Sequence, residues 1–167
     1  MVTLHAKLRN FREGDATEVV AVALAAFGEF RSHYDDWPAM AARLSNLPRL
    51  AESGEVIVAE TGGRIAGAVA YIPPSRPKAA YFQPEWPVIR MLVVDPAHRG
   101  AGIGRALTEE CLARARRDRS PVIALHTSPI MTVALPMYLR MGFERVSDAP
   151  PIFGVPYAVY LKRLALE

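Results

Sequence analysis

The chain has 167 residues, 51% of them hydrophobic, which is enough to build the core of about one domain without disulfide support. Its formal net charge is only +3 and the basic residues are scattered, which excludes a basic stripe for nucleic acid and suits an anionic small ligand. Cys111 is the only cysteine, so an internal disulfide and a thiolate metal cluster are excluded. The absence of a secretory leader after Lys7, Arg9 and Arg12, and of any apolar run of about 18 residues, predicts a cytoplasmic protein with no membrane contact.

In chain order, Val2 to Leu8 alternates as a strand. Asp15 followed by Glu18 reads as a capping box opening a helix to about Phe27 or Phe30. A second helical stretch from Trp37 to Ala51 has Pro38 in its first turn and Pro48 near its end, which predicts two short pieces bordering a ligand cleft. The apolar runs Glu55–Glu60 and Arg64–Tyr71 flank Thr61-Gly62-Gly63 and predict a hairpin. Residues 73–87 carry five prolines interleaved with Tyr81, Phe82 and Trp86, the composition of a packed or substrate-facing loop.

Val88 to Val94 is an apolar strand broken only by Arg90 and ended by Asp95-Pro96. The helix after it opens inside a glycine segment and runs to about Asp118, with Ile103, Ala106, Leu107, Cys111 and Ala115 on one face and Glu110 paired to Arg114 on the other. Val122 to His126 reads as a strand, Pro129 to Met141 as a helix stopped by Gly142, and Phe143–Val146 and Tyr157–Leu164 as closing strands. A hairpin followed by β-α-β crossovers predicts one α/β layer fold with a mixed sheet flanked by helices.

The segment Arg99-Gly100-Ala101-Gly102-Ile103-Gly104 stands where that strand gives way to its helix. Missing Cβ atoms let a ligand approach the backbone, and the first amides of a helix converge on anions at the positive end of its dipole. Arg99 and Arg105 add charge. A plain tight turn also uses alternating glycines, and the following sequence separates the phosphate-binding alternatives. A Walker loop requires Gly-Lys-Ser/Thr, whereas Gly104 is followed by Arg105-Ala106; a dinucleotide fingerprint requires a third glycine where Arg105 and Leu107 stand.

The remaining pattern, Arg99 with Gly102 and Gly104, resembles the pyrophosphate loop of the GNAT superfamily of N-acetyltransferases. Leu92-Val93-Val94-Asp95-Pro96 resembles the family's fourth strand, Tyr138-Leu139-Arg140-Met141-Gly142-Phe143 its tyrosine and Gly-Phe segment, and Val159-Tyr160-Leu161-Lys162 its terminal strand. The resemblance implies a single acyl-CoA N-acyltransferase domain over residues 1–167, with a mixed, mostly antiparallel sheet of about seven strands flanked by about four helices. It implies an acetyltransferase that passes the acetyl group of acetyl-CoA to a primary amine of a small molecule or peptide by direct attack in a ternary complex. No metal and no nucleic-acid partner are expected, and sheet-edge homodimers are common in families of this kind.

By the same resemblance Leu92, Val93 and Val94 hold the pantetheine arm, and Gly100, Ala101, Gly102, Ile103, Gly104 and Arg105, with Arg99, hold the pyrophosphate. Tyr138 takes the place of the general acid that protonates the departing thiolate, although a tyrosine there also packs against Phe143. Two positions depart from the family pattern. Val88 stands where many relatives carry a glutamate, so the base is sought instead at His126 or Glu85, acting through water. Met131 replaces an asparagine that contacts the cofactor, a contact left to Thr127 or Ser128. The aromatics Phe27, Phe30, Tyr34, Trp37, Tyr81, Phe82 and Trp86 suggest an apolar or aromatic acceptor pocket. Both departures leave a catalytically silent acyl-CoA-binding or sensing protein as the alternative.

Overall fold

In the computed structural model, which describes residues 6–165, the chain forms one mixed sheet of seven strands. The strands are β1 (Lys7–Asn10), β2 (Glu55–Thr61), β3 (Arg64–Ile72), β4 (Val88–Val94), β5 (Val122–Thr127), β6 (Glu144–Ile152) and β7 (Val155–Arg163). The helices are α1 (Ala16–Gly28), α2 (Trp37–Leu44), α3 (Ile103–Arg117) and α4 (Ala134–Arg140). The spatial order is β1-β2-β3-β4-β5-β7-β6, antiparallel everywhere except between β4 and β5. None of the described helices is long and apolar enough to cross a membrane.

Side chains alternate across the strands, so the sheet divides the interior into two cores. One face gathers Val56, Val58, Ala68, Ala70 and Val88 under α1 and α2. The other gathers Ile57, Val69, Tyr71, Ile89 and Leu125 under α3 and α4. The hairpin between β2 and β3 turns on Gly62 and Gly63 at φ 58° and 76°, the left-handed pair that a two-residue turn between twisted strands needs.

Several elements depart from the pattern reading. The strand expected over Val2–Leu8 begins at Lys7 and continues to Asn10, and Val2–His5 lie outside the described residues. Asp15 and Glu18 do not form a capping box. Asp15 instead receives the Arg9 guanidinium at 2.8 and 2.9 Å, and Glu18 Oε2 accepts the Ile65 N–H at 3.0 Å, tying α1 to β3. The last helix begins at Ala134 rather than Pro129. Starting there places Pro136 in the first turn, where its missing N–H breaks no bond; a start at Pro129 would bury it mid-helix. The stretch Trp37–Ala51 breaks as its prolines predict, into α2 and a 3₁₀ turn over Leu47–Glu52. The closing strands are longer than the sequence suggests, and Phe153 and Gly154 join them at φ 44° and 81°.

Two local features shape the centre of the sheet. The only registered β4–β5 pair is Val88 with Ala124, so beyond it the parallel strands diverge. Near that divergence β4 bulges: Met91 lies at φ 53°, and the register with β3 slips between Ala68 and Ala70. Gly67 sets the height of α3 above the sheet. A Cβ there would stand 2.9 Å from the Val93 carbonyl oxygen, 3.0 Å from Ile103 Cγ2 and 3.1 Å from Leu107 Cδ1. Gly67→Ala is therefore expected to overpack this contact by about 1–3 kcal/mol, lowering the melting temperature by about 2–4 °C per kcal/mol in calorimetry. An unchanged melting temperature would show that α3 is not held this close.

Candidate active site

Past the last β4–β5 pair, the space between the strands is lined from both sides and opens into two adjoining cavities. The larger is a cleft of about 500 Å³ between the C-terminal half of α1, the end of β4, the mouth of α3 and α4. Leu92, Val93, Val94, Arg99, Gly100, Gly102, Ile103, Gly104 and Arg105 all line it; Ala101 does not. The structure thus brings together every residue expected at a cofactor site but one.

Why the chain is shaped this way follows from its glycines. Gly100 and Gly102 sit at φ 82° and 79°, a left-handed conformation that turns the chain off β4 and into α3 without a strained side chain. Gly102 is the N-cap of α3 and offers no side chain to cap it. Among the described residues, no backbone N–H from Gly100 to Arg105 donates to a carbonyl, so unpaired donors gather at the positive end of the helix dipole, all but Ala101's on residues that line the cleft. A side chain at Gly104 would project toward Leu92, Val94 and Met137 in the cleft wall. Arg99, Arg105 and Arg140 give the rim a positive character. Arg99 is not free: its guanidinium pairs with Glu29, the C-cap residue that ends α1.

The smaller cavity, about 80 Å³, lies deeper and shares Phe27, Leu92, Met131 and Ala134 with the cleft. Tyr138 lines it from α4, only 5% exposed, and its hydroxyl has no hydrogen-bond partner among the described residues. Burial pushes the phenol's pKa upward, so it stays protonated at neutral pH. The ring also meets Phe143 edge-on, with centroids 5.6 Å apart, and the Phe143 N–H returns to the Tyr138 carbonyl at 3.0 Å across the Gly142 turn. The packing contact and the cavity-facing position coexist.

His126 reaches the same cavity from β5. Its Nδ1 lies 3.2 Å from the Tyr81 hydroxyl, and the rings of Tyr81, Phe82 and Tyr157 surround it at 5.4, 5.8 and 5.1 Å. Tyr157 in turn shares a 2.6 Å hydroxyl contact with Tyr34. Burial, and then the charges of Arg43 and Arg90, push the His126 pKa down to about 4. Glu85 lines neither cavity: it is exposed in the proline-rich loop.

The expected acceptor aromatics distribute differently from the sequence reading. Phe27 alone of the seven lines the smaller cavity; Phe27 and Phe30 line the cleft, while Tyr34, Tyr81 and Phe82 form a layer behind His126 and Tyr157. Thr127 lines the smaller cavity, and Ser128 is wholly buried. The sequence reading missed Arg43, Arg90 and Tyr157, all on the cavity wall. Arg90 left a signal, a lone charge inside an otherwise apolar strand.

The profile described as the Acetyltransferase (GNAT) family matches residues 17–143. A Mus musculus protein named N-acetyltransferase 8B is 38% identical over 91 residues, which are 54% of this chain and 38% of that protein. The matched stretch is thus under half the length of that relative. Among solved structures, a Pyrococcus horikoshii protein superposes with a TM-score of 0.78 at 19% identity, covering 97% of this chain and 100% of its own. A Salmonella typhimurium protein solved with its cofactor acetyl-CoA superposes at 0.69, again at 19% identity, covering 98% of this chain and 96% of its own. At these identities the likeness is one of fold.

The depressed His126 pKa has a sign that can be checked. The unfolded chain takes up a proton near pH 6.5 and the folded one only near 4, so this group's stabilisation is complete above about 6.5 and erodes as pH falls toward 4. Denaturation series from pH 8 to 4 are expected to lose stability more steeply for the wild type than for His126→Gln in that window. A His126 ring resonance titrating near 6.5 in the folded protein would contradict the burial assigned to it.

Proposed function

Since the chain belongs to the Acetyltransferase (GNAT) family, we propose that it is an N-acetyltransferase moving an acetyl group from acetyl-CoA to a primary amine of a small molecule or peptide within a ternary complex. The observation that carries this reading is the cleft of about 500 Å³ in which unpaired α3 amides, the β4 backbone and arginines converge. Acetyl-CoA supplies an activated acetyl group together with a pyrophosphate that must be held. The amides from Gly100 to Arg105 suit that pyrophosphate, because oriented N–H groups at a helix mouth bind an anion without a dedicated basic cage. Arg99 joins them once it leaves Glu29. The edge of β4 from Leu92 to Val94, freed from β5, offers backbone groups to the pantetheine arm.

The cavity where the two strands separate suits the reacting centre. Tyr138 holds a proton at its hydroxyl and gives it to the sulfur as the C–S bond breaks. His126, neutral at physiological pH, receives the proton released by the amine as the C–N bond forms, through an intervening water. Its low basicity makes it a relay that needs the amine to arrive unprotonated. Solvent exchange restores both residues.

Thermal shift and thiol-release assays test the two halves separately. Ligand that binds only the folded state raises its melting temperature, so acetyl-CoA and CoA are expected to stabilise the protein and NAD and ATP are not. Tyr138→Phe is expected to keep that stabilisation while thiol release falls about 10²–10⁴-fold, the range of general acid–base catalysis. Full turnover in Tyr138→Phe would remove the acid assignment. Stabilisation by acetyl-CoA without thiol release across a broad amine panel would identify a CoA-binding protein instead of an enzyme.

A further inference from the structure

The smaller cavity contains two guanidinium groups and no carboxylate. Arg90, from β4, and Arg43, from α2, both line it, and no Asp or Glu does. Among the described residues neither arginine makes an ion pair or a side-chain hydrogen bond, although Arg9, Arg99, Arg105, Arg114, Arg117 and Arg145 all do. Burial pushes the Arg90 pKa below its ordinary value, and the like charge of Arg43 pushes it further the same way. Neutral groups complete the surroundings: His126 and Tyr157 in their uncharged forms, with Met40, Leu44 and Ile152 as an apolar wall.

Two half-buried, unpartnered like charges destabilise the empty cavity, and an anion placed between them relieves both their repulsion and their lost hydration. Six other arginines have protein carboxylates to do this; Arg43 and Arg90, half-buried on a cavity wall, do not. The partner they lack must then come with the ligand. Since the cavity adjoins the cleft through Phe27, Leu92, Met131 and Ala134, that ligand lies where an amine acceptor would meet Tyr138.

Resting on the acetyltransferase reading, we infer that the acceptor is a small amine that carries a carboxylate and an apolar side chain, as an apolar α-amino acid does, with Arg90 and Arg43 gripping the carboxylate. The arginines act as specificity residues: they hold the acceptor by its anion and leave its nitrogen toward the splayed strands. Neutral amines of the same shape leave both guanidinium groups unpaired, and this rejects them more strongly than lost contact alone would.

Matched acceptors test this directly. Thiol release with acetyl-CoA is measured for leucine against 3-methylbutylamine and for phenylalanine against phenethylamine, pairs that differ only in the carboxylate. The acid is expected to be favoured by about tenfold to a hundredfold in kcat/KM, the scale of one charge-assisted contact. In Arg90→Gln and Arg43→Gln that preference collapses through KM rather than kcat, and Arg90→Lys restores part of it. Retained stabilisation by acetyl-CoA verifies that the variants fold. Because turnover of these particular amines is not guaranteed, titration of phenylacetate into the protein with CoA gives a second readout, with binding expected in the wild type and weakened at least about tenfold in Arg90→Gln. Equal turnover of acid and amine, or phenylacetate binding that is absent or indifferent to Arg90→Gln, overturns the inference while leaving the acetyltransferase reading intact. Absence of stabilisation by acetyl-CoA removes that reading instead.

Discussion

The parting of β4 from β5 after a single registered pair is the constraint on which the site depends. A parallel pair in the middle of a sheet ordinarily spends its backbone groups on its neighbour. Here β4 keeps its bonds to β3 and gives up those to β5, so the strand has one satisfied edge and one edge turned toward a cavity. The bulge at Met91 sharpens this by twisting β4 away just where the strands separate. The lining of both cavities hangs from the resulting wedge: Arg90, Leu92 and Val94 on one side, Leu125, His126 and Thr127 on the other, and Tyr138 closing it from α4.

The two cavities divide the electrostatic work. In the cleft, positive potential comes largely from backbone dipoles at the mouth of α3, which suits a diffuse polyanion held along its length. In the smaller cavity it comes from two guanidinium groups in half-buried positions, which suits a compact, planar anion in a defined orientation. Phe27, Leu92, Met131 and Ala134 line both and form an apolar boundary between the two positive regions.

Much of this was legible in the sequence because it rests on local rules. The Gly62-Gly63 turn, the proline break after α2 and the glycine segment ahead of α3 are each dictated by a few adjacent residues. The cleft proposed for the donor was readable for the same reason, since the unpaired amides at its edge are ordered by alternating glycines. The acceptor side was not. Arg43, Arg90, His126 and Tyr157 come from four elements and meet only after the sheet is assembled, so no spacing announces them. Glu85 is the converse case: a carboxylate in a suggestive loop carries no information about where that loop points, and this one lines neither cavity. The capping box at Asp15 and Glu18 failed because tertiary partners, Arg9 and Ile65, outcompeted a motif worth about 1 kcal/mol.

The placement of β7 has a consequence for assembly. It follows β6 in the chain yet lies between β5 and β6, bonded to both. Until it arrives, β5 is an open edge whose Ile123 and Leu125 belong to the core, an invitation to pair with another chain during folding. The non-local contacts of β5 must therefore wait for a strand about thirty residues downstream, which makes closure of the sheet a late and slow event. Tyr157 travels on that strand. On the proposed reading, the wall of the acceptor cavity is complete only once β7 has docked, whereas the glycine cleft draws no residue from that strand.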